Sequence, residues 1–106
     1  MKSIQLMAVT GLMFAMSGLP AFAHAALLSC YDNEDGTIDC EAGYSDGATS
    51  AGQSLLVLRD DQRLLHEFTF DETGVLTFDK PDTGFIVEFH GDSSHIVTVY
   101  GEDITP

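Results

Sequence analysis

Hydrophobic and polar residues follow two different patterns along this chain. Residues 4–19 form a mostly apolar run after the basic start Met1-Lys2, and Pro20 then precedes a group of small residues. Beyond this run, short apolar segments alternate with turns rich in Asp and Gly. The first pattern is typical of a cleaved secretory signal peptide, and the second of an antiparallel all-β domain.

Seven short segments after residue 25 have the character of β-strands. The first two are the arms of a hairpin in CYDNEDGTIDC, residues 30–40. The other five are bounded by turn residues, and they are residues 54–60, 63–70, 75–78, 85–89 and 95–100. We therefore predict one small antiparallel β-sandwich of about seven strands, with residues 45–53 as its longest loop.

Two signal-peptidase cuts fit the small residues after Pro20. One follows Ala23 and makes His24 the first mature residue; the other follows Ala25 and removes His24. Pro20 stands close ahead of the first cut, so we expect a signal peptide over residues 1–23 and a mature domain over residues 24–106. His24 would then carry a free α-amino group beside its imidazole.

The signal also predicts the compartment. Its apolar run is shorter than the roughly 20 residues of a membrane span, and no second long apolar run follows. We expect a secreted, periplasmic protein without membrane insertion after processing. The chain has 17 acidic and 4 basic residues, a formal net charge of −13. This acidity excludes a nucleic-acid partner, but by itself it is not a metal site.

The hairpin register predicts a disulfide. A three-residue loop, Glu34-Asp35-Gly36, built as a type I turn with glycine in the left-handed region, pairs Asn33 with Thr37. Counting outward sets Cys30 opposite Cys40, at a separation that a disulfide tolerates. The alternative is a pair of thiolate ligands for Cu(I) or zinc, but an exported chain favours the bridge.

Two resemblances point to metals. The series TFDETGVLTFDKPDTGFIVEF, residues 69–89, resembles transthyretin-like sandwiches, also called carboxypeptidase regulatory-like domains, in which Asp-x-x-Gly turns alternate with aromatic strands. Together with the signal, His24 and the late Gly-Asp-x-x-His of residues 91–95, the whole pattern is similar to periplasmic accessory proteins of nickel and cobalt uptake. This resemblance implies metal delivery, with a membrane transporter component or another envelope protein as partner.

The second resemblance concerns copper. HAALLSC, residues 24–30, resembles the mature start of small periplasmic copper-resistance sandwiches. It implies that His24 holds Cu(II) through its amine and ring, with Asp92 and His95 as further ligands. All four methionines lie within residues 1–16 and leave with the signal, which excludes a methionine site for Cu(I).

The other histidines differ in their expected surroundings. His66 is in phase with Phe68 and Phe70, so we expect it to point inward or to lie at the rim of its sheet. His90 ends a strand and belongs to the candidate ligand set, although its position favours a solvated rim residue. His95 opens the last strand, where the roles of ligand and surface residue both stay open.

Enzyme motifs are absent from the sequence. It contains no nucleophile elbow, no His-Glu-x-x-His and no phosphate-binding glycine loop. A calcium loop is excluded because Tyr31 and Ala42 would occupy two of its oxygen-ligand positions. We expect a non-catalytic protein that binds or delivers nickel, cobalt or copper, with one such ion as its cofactor; the alternative is a metal-free interaction sandwich of the cell envelope.

Overall fold

A computed structural model describes residues 24–92 and 95–106 of the chain. The predicted signal peptide, residues 1–23, lies outside these residues, as do Ser93 and Ser94. The described residues form seven strands, numbered β1 to β7 in chain order: Ala26–Asp32, Thr37–Tyr44, Ser54–Arg59, Leu64–Thr69, Val75–Asp79, Phe85–His90 and Ile96–Tyr100. The five strands predicted with bounds are confirmed to within one residue at each end.

The strands form two antiparallel sheets. The smaller sheet has the order β1-β2-β5, and the larger has the order β4-β3-β6-β7. One turn of 3₁₀ helix, Gly101–Asp103, follows β7. No helix in residues 24–92 and 95–106 is long and apolar enough to cross a membrane. The predicted all-β antiparallel sandwich is therefore confirmed.

The first hairpin has the predicted register. Asn33 donates its N–H to the Thr37 carbonyl at 3.0 Å, and Cys30 lies directly opposite Cys40. The two cysteines form a disulfide with their Cα atoms 4.1 Å apart. Cys40 is fully buried, so the bridge fastens the edge strand β1 to the core side of β2.

The turn of this hairpin differs from the predicted type I geometry. Gly36 has the expected positive φ of 93°, but Glu34 also has a positive φ, of 62°. The carboxylates beside the turn explain the difference, because Asp32 accepts the Glu34 N–H at 2.8 Å and Asp35 accepts the Thr37 N–H at 3.0 Å. These local hydrogen bonds offset the cost of a left-handed Glu34.

The core lies between the inner faces of the two sheets. Alternation along β2 turns Ile38, Cys40, Ala42 and Tyr44 inward. The remaining buried members of the core cluster are Leu55, Val57, Phe70, Phe78, Phe85, Val87 and Phe89. Aromatic rings fill one end of this core, where Phe89 contacts both Tyr44 and Phe70.

The long loop of residues 45–53 is tied to the sandwich. Ser50 is fully buried and donates its hydroxyl to the Ala42 carbonyl at 2.9 Å. The same carbonyl lies 2.8 Å from where a Cβ at Gly74 would stand, and Gly74 has a φ of 72°. A glycine is required there because a side chain would meet the backbone of β2.

Candidate functional site

One end of the sandwich brings together polar side chains from three separate segments. His24 immediately precedes β1, Asp46 follows β2, and Asp92 and His95 flank the turn between β6 and β7. Their side chains are between 38% and 46% exposed, so solutes reach them freely. We call His24, Asp46, Asp92 and His95 the histidine–aspartate cluster.

The β1–β2 register carries His24 to Asp46. Ala26 pairs with Tyr44, and beyond this pair Ser45 donates its N–H to the Ala25 carbonyl at 2.9 Å. Ala25 in turn donates its N–H to the Ser45 hydroxyl at 2.8 Å. The next step outward sets the His24 ring beside Asp46, with 2.8 Å between Nδ1 and Oδ2.

The β6–β7 turn supplies the other half of the cluster. His95 donates its backbone N–H to the Asp92 carbonyl at 3.0 Å, and its Nδ1 lies 2.7 Å from Asp92 Oδ1. The second oxygen of the same carboxylate, Oδ2, lies 3.3 Å from His24 Nε2. Asp92 therefore bridges two imidazoles that are distant in the sequence.

Tyr44 lies beneath the cluster. Its ring stacks on His24, with centroids 4.5 Å apart and planes 8° apart, and it meets His95 edge-on at 6.3 Å. Its hydroxyl accepts the Asp92 N–H at 2.8 Å and donates to Gln53 Oε1 at 2.9 Å. One side chain thus contacts both halves of the cluster.

The two carboxylates change the acid–base behaviour of His24. Hydrogen bonds to Asp46 and then to Asp92 raise the pKa of His24 above 6.5. A neutral imidazole has only one N–H, whereas both ring nitrogens of His24 face carboxylate oxygens. This arrangement favours the imidazolium, or any other cation that replaces a ring proton.

The carboxylates respond in the opposite direction. The hydrogen bond from His24 is the main cause that lowers the pKa of Asp46 below 3.8. For Asp92 the main cause of a lowered pKa is the hydrogen bond from His95. Both groups are therefore anionic at neutral pH, and they surround the imidazoles with negative charge.

The donor types of the cluster suit a borderline metal ion. Imidazole nitrogens and carboxylate oxygens are ligands for Cu(II), Ni(II) and Zn(II). In residues 24–92 and 95–106, no group of three or more His, Cys, Asp or Glu side chains is arranged to hold a metal ion. Both ring nitrogens of His24 and Nδ1 of His95 lie at hydrogen-bond distance from carboxylate oxygens. These nitrogens and oxygens therefore face one another and do not converge on a common point where an ion could bind.

The structure brings three of the four predicted ligands together. His24, Asp92 and His95 lie in the cluster, whereas His90 does not, because its Nε2 lies 2.9 Å from Glu88 Oε1 on the outer face of β6. His66 is exposed at the rim and stacks on Phe68 at 5.6 Å. The rim placement agrees with the prediction, but His66 is not a buried core histidine.

Two residues of the site were missed by sequence reasoning. Asp46 is one of many acidic residues in turns, and Tyr44 is an aromatic residue of a strand whose side chain is not a usual metal ligand. The register that pairs the two cysteines could have predicted the positions of both residues. Counting outward from Cys30 and Cys40 sets Ala26 opposite Tyr44. Two residues further out, His24 then lies near Asp46. The contact between Tyr44 and Asp92 has no comparable signal, since β1–β2 and β6–β7 belong to different sheets.

Comparison with known proteins finds no relative: no family model, no curated protein and no solved structure matches this chain.

Proposed function

We propose that this protein is exported to the periplasm, is processed so that His24 is its first residue, and binds one divalent transition-metal ion at the histidine–aspartate cluster. Copper, nickel and cobalt are the candidate ions. Binding would serve delivery of the metal to a membrane transporter component or to another envelope protein. The function is binding and transfer of an ion, without catalysis.

The convergence of His24 and Asp92 carries this proposal. The two residues are 68 positions apart, and their side chains nevertheless lie within 3.3 Å of each other. The two histidines and two carboxylates lie at an exposed end of a small sandwich, and none of them is a member of its buried core cluster. Exposed ion pairs of this kind contribute little stability, so their gathering is better explained by binding.

The donors of the cluster have separate parts in the proposal. A free α-amino group and Nδ1 of His24 would close a chelate ring within one residue, and Asp46, which already faces Nδ1, would supply an oxygen. Asp92 accepts the Nδ1 proton of His95, which leaves the lone pair of a neutral ring on Nε2 for a metal. A carboxylate that orients a ligating histidine in this way is a common outer partner of protein metal sites.

One observation favours the alternative function, protein interaction without metal. Leu64, Leu58, Ile86 and Tyr100 are directly paired across all four strands of the larger sheet. Leu64 is 50% exposed and Tyr100 is 53% exposed. Leu58 and Ile86 between them are buried, so the exposed ends of this row would supply an interaction surface that requires none of the histidines.

Calorimetric titration tests the metal proposal against this alternative. Protein produced from the full-length sequence and purified from the periplasm is titrated with Cu(II) and Ni(II). We expect one ion per chain, with copper bound more tightly than nickel because intrinsic affinity follows that order. Absence of saturable binding for both ions would contradict the proposal and favour the interaction function.

Matched histidine variants locate the site. His95→Ala removes a proposed ligand, and we expect its Kd for Cu(II) to rise by at least about 10-fold, the lower bound for loss of even an outer partner. His90→Ala removes a histidine that pairs with Glu88 away from the cluster, and its Kd should not change. Equal affinity of the two variants would exclude the cluster as the site.

A further inference from the structure

We infer that Tyr44 is the positioning residue of the histidine–aspartate cluster: its ring sets the plane of His24, and its hydroxyl fixes the backbone that carries Asp92. Tyr44 itself supplies no metal ligand in this inference. The consequence for metal affinity rests on the proposed function, whereas the positioning itself is a property of the metal-free protein.

Burial makes Tyr44 a rigid support. Only 6% of its surface is exposed, and its ring packs against Phe89 in the core, with centroids 6.1 Å apart. His24, by contrast, precedes the first strand and has a side chain that is 38% exposed. A buried aromatic ring beneath an exposed imidazole reduces the rotamers open to the imidazole.

The hydroxyl of Tyr44 joins the two sheets. It belongs to the end of β2, yet it accepts the N–H of Asp92 at 2.8 Å, and it donates its own proton to Gln53. The Tyr44 hydroxyl oxygen accepts one hydrogen bond and donates the other at the same time, so two partners fix its position. Asp92 is thereby fixed with respect to His24, although the two residues lie 68 positions apart.

Gly91, next to Asp92, supports this positioning by Tyr44. A Cβ at Gly91 would collide with the Tyr44 hydroxyl and would lie 3.3 Å from the His95 carbonyl oxygen. The turn therefore approaches the hydroxyl as closely as a backbone without a side chain allows. This close approach accompanies the hydrogen bond from the Asp92 N–H to the Tyr44 hydroxyl and the edge-on contact of His95 with the Tyr44 ring.

Two variants separate the ring from the hydroxyl. Tyr44→Phe keeps the stack on His24 but removes the acceptor of the Asp92 N–H, whereas Tyr44→Leu removes the stack as well. Tyr100→Phe is the matched control, because Tyr100 is an exposed tyrosine that pairs with Ile86 at the end of β7 opposite to His95. Tyr44→Phe is close to isosteric and should fold even if Tyr44→Leu does not.

NMR of the metal-free protein tests the positioning. We expect the ring protons of His24 to be shifted upfield by the Tyr44 ring, a shift that persists in Tyr44→Phe and is lost in Tyr44→Leu. The Asp92 amide should lose protection from hydrogen exchange in Tyr44→Phe but not in Tyr100→Phe. An unshifted His24 ring in the parent protein, or an unchanged Asp92 amide in Tyr44→Phe, would overturn the inference.

Copper titration tests the consequence. We expect Tyr44→Phe to weaken Cu(II) binding roughly 10-fold, as for loss of an outer partner, and Tyr44→Leu to change the electron paramagnetic resonance spectrum of bound Cu(II). Parent affinity and an identical spectrum in both variants would overturn the inference while leaving metal binding intact. No Cu(II) binding by the parent protein would overturn the proposed function, and the NMR result would still decide the position of His24 and Asp92.

Discussion

His24 and Asp46 are joined across the open end of the first hairpin by a contact of 2.8 Å between Nδ1 and Oδ2. This bond is the main cause of the raised pKa of His24 and of the lowered pKa of Asp46. Asp92 makes the second, longer contact to the same imidazole. Charge on the His24 ring is therefore controlled by two carboxylates from different sheets.

Replacement of Asp46 should lower the pKa of His24. In Asp46→Asn the imidazolium loses its closest anion, so we expect its pKa to fall toward 6.5, whereas Asp61→Asn, in an exposed turn beside Arg59, should leave it unchanged. The measurement is an NMR pH titration of a chain that begins at Ala23, which keeps the α-nitrogen of His24 an amide. An identical His24 pKa in both variants would contradict the contact.

The pH dependence of stability follows from the directions of these shifts. The raised pKa of His24 adds stability that is complete below 6.5 and is lost as pH rises through the higher folded pKa. The lowered pKa values of Asp46 and Asp92 add stability above 3.8 that is lost as pH falls through their folded pKa values. In denaturant unfolding, the cluster should therefore contribute most to the free energy of unfolding between pH 3.8 and 6.5. Asp46→Asn should reduce the pH dependence of the free energy of unfolding around this range.

The disulfide should be a major part of the stability of this small domain. It closes a loop with a sequence separation of 10, for which chain entropy predicts a contribution of roughly 2–3 kcal/mol. Simultaneous Cys30→Ala and Cys40→Ala should lower the free energy of unfolding by about that amount in urea titrations. Alkylation of both thiols in the non-reduced protein would show instead that the bridge does not form.

Gly91 and Tyr44 should be energetically coupled. Gly91→Ala places a methyl group against the Tyr44 hydroxyl, and we expect a loss of about 1–3 kcal/mol of stability, as for other overpacked sites. In a Tyr44→Phe background the obstructing oxygen is gone, so Gly91→Ala should cost less there. A double-mutant cycle measures the difference, and strictly additive effects would contradict the close contact.

Much of this fold follows from local patterns that are readable in the sequence. Alternation and turn residues define the strands, and the hairpin between Cys30 and Cys40 has a register fixed by its loop length. The same register extends to Ala26 and Tyr44, so half of the candidate site was implicit in the prediction of the disulfide. Short-range hydrogen bonds and side-chain alternation carry this information.

The other half of the site depends on how the two sheets pack. Asp92 and His95 reach His24 only because the β6–β7 turn lies over the end of β2, where the buried Tyr44 contacts both segments. No spacing in the sequence encodes that distance, since it results from packing around Phe89 and its neighbours. The prediction of a type I turn at Glu34 was also wrong, because the Asp32 and Asp35 carboxylates hydrogen-bond to the backbone of the turn and change its conformation.

The mature protein should begin at His24. Ala25 makes two hydrogen bonds to Ser45 that hold the entrance to β1 against β2, and a cut after Ala25 would remove both these bonds and His24. Pro20 stands close ahead of the cut after Ala23, so intact-mass measurement of the periplasmic protein should give a chain that begins at His24. A chain that begins at Ala26 would eliminate the proposed amine chelate.

Anomalous X-ray diffraction at the copper edge tests the central claim most directly. Crystals of the processed protein are grown with one equivalent of Cu(II), beside crystals of a chain with one additional residue ahead of His24. We predict a single strong anomalous peak adjoining Nδ1 and the α-amine of His24, near Asp46 and His95, and a weaker peak or none in the extended chain. A peak at His66 or His90, or equal occupancy in the two chains, would contradict metal binding by the histidine–aspartate cluster.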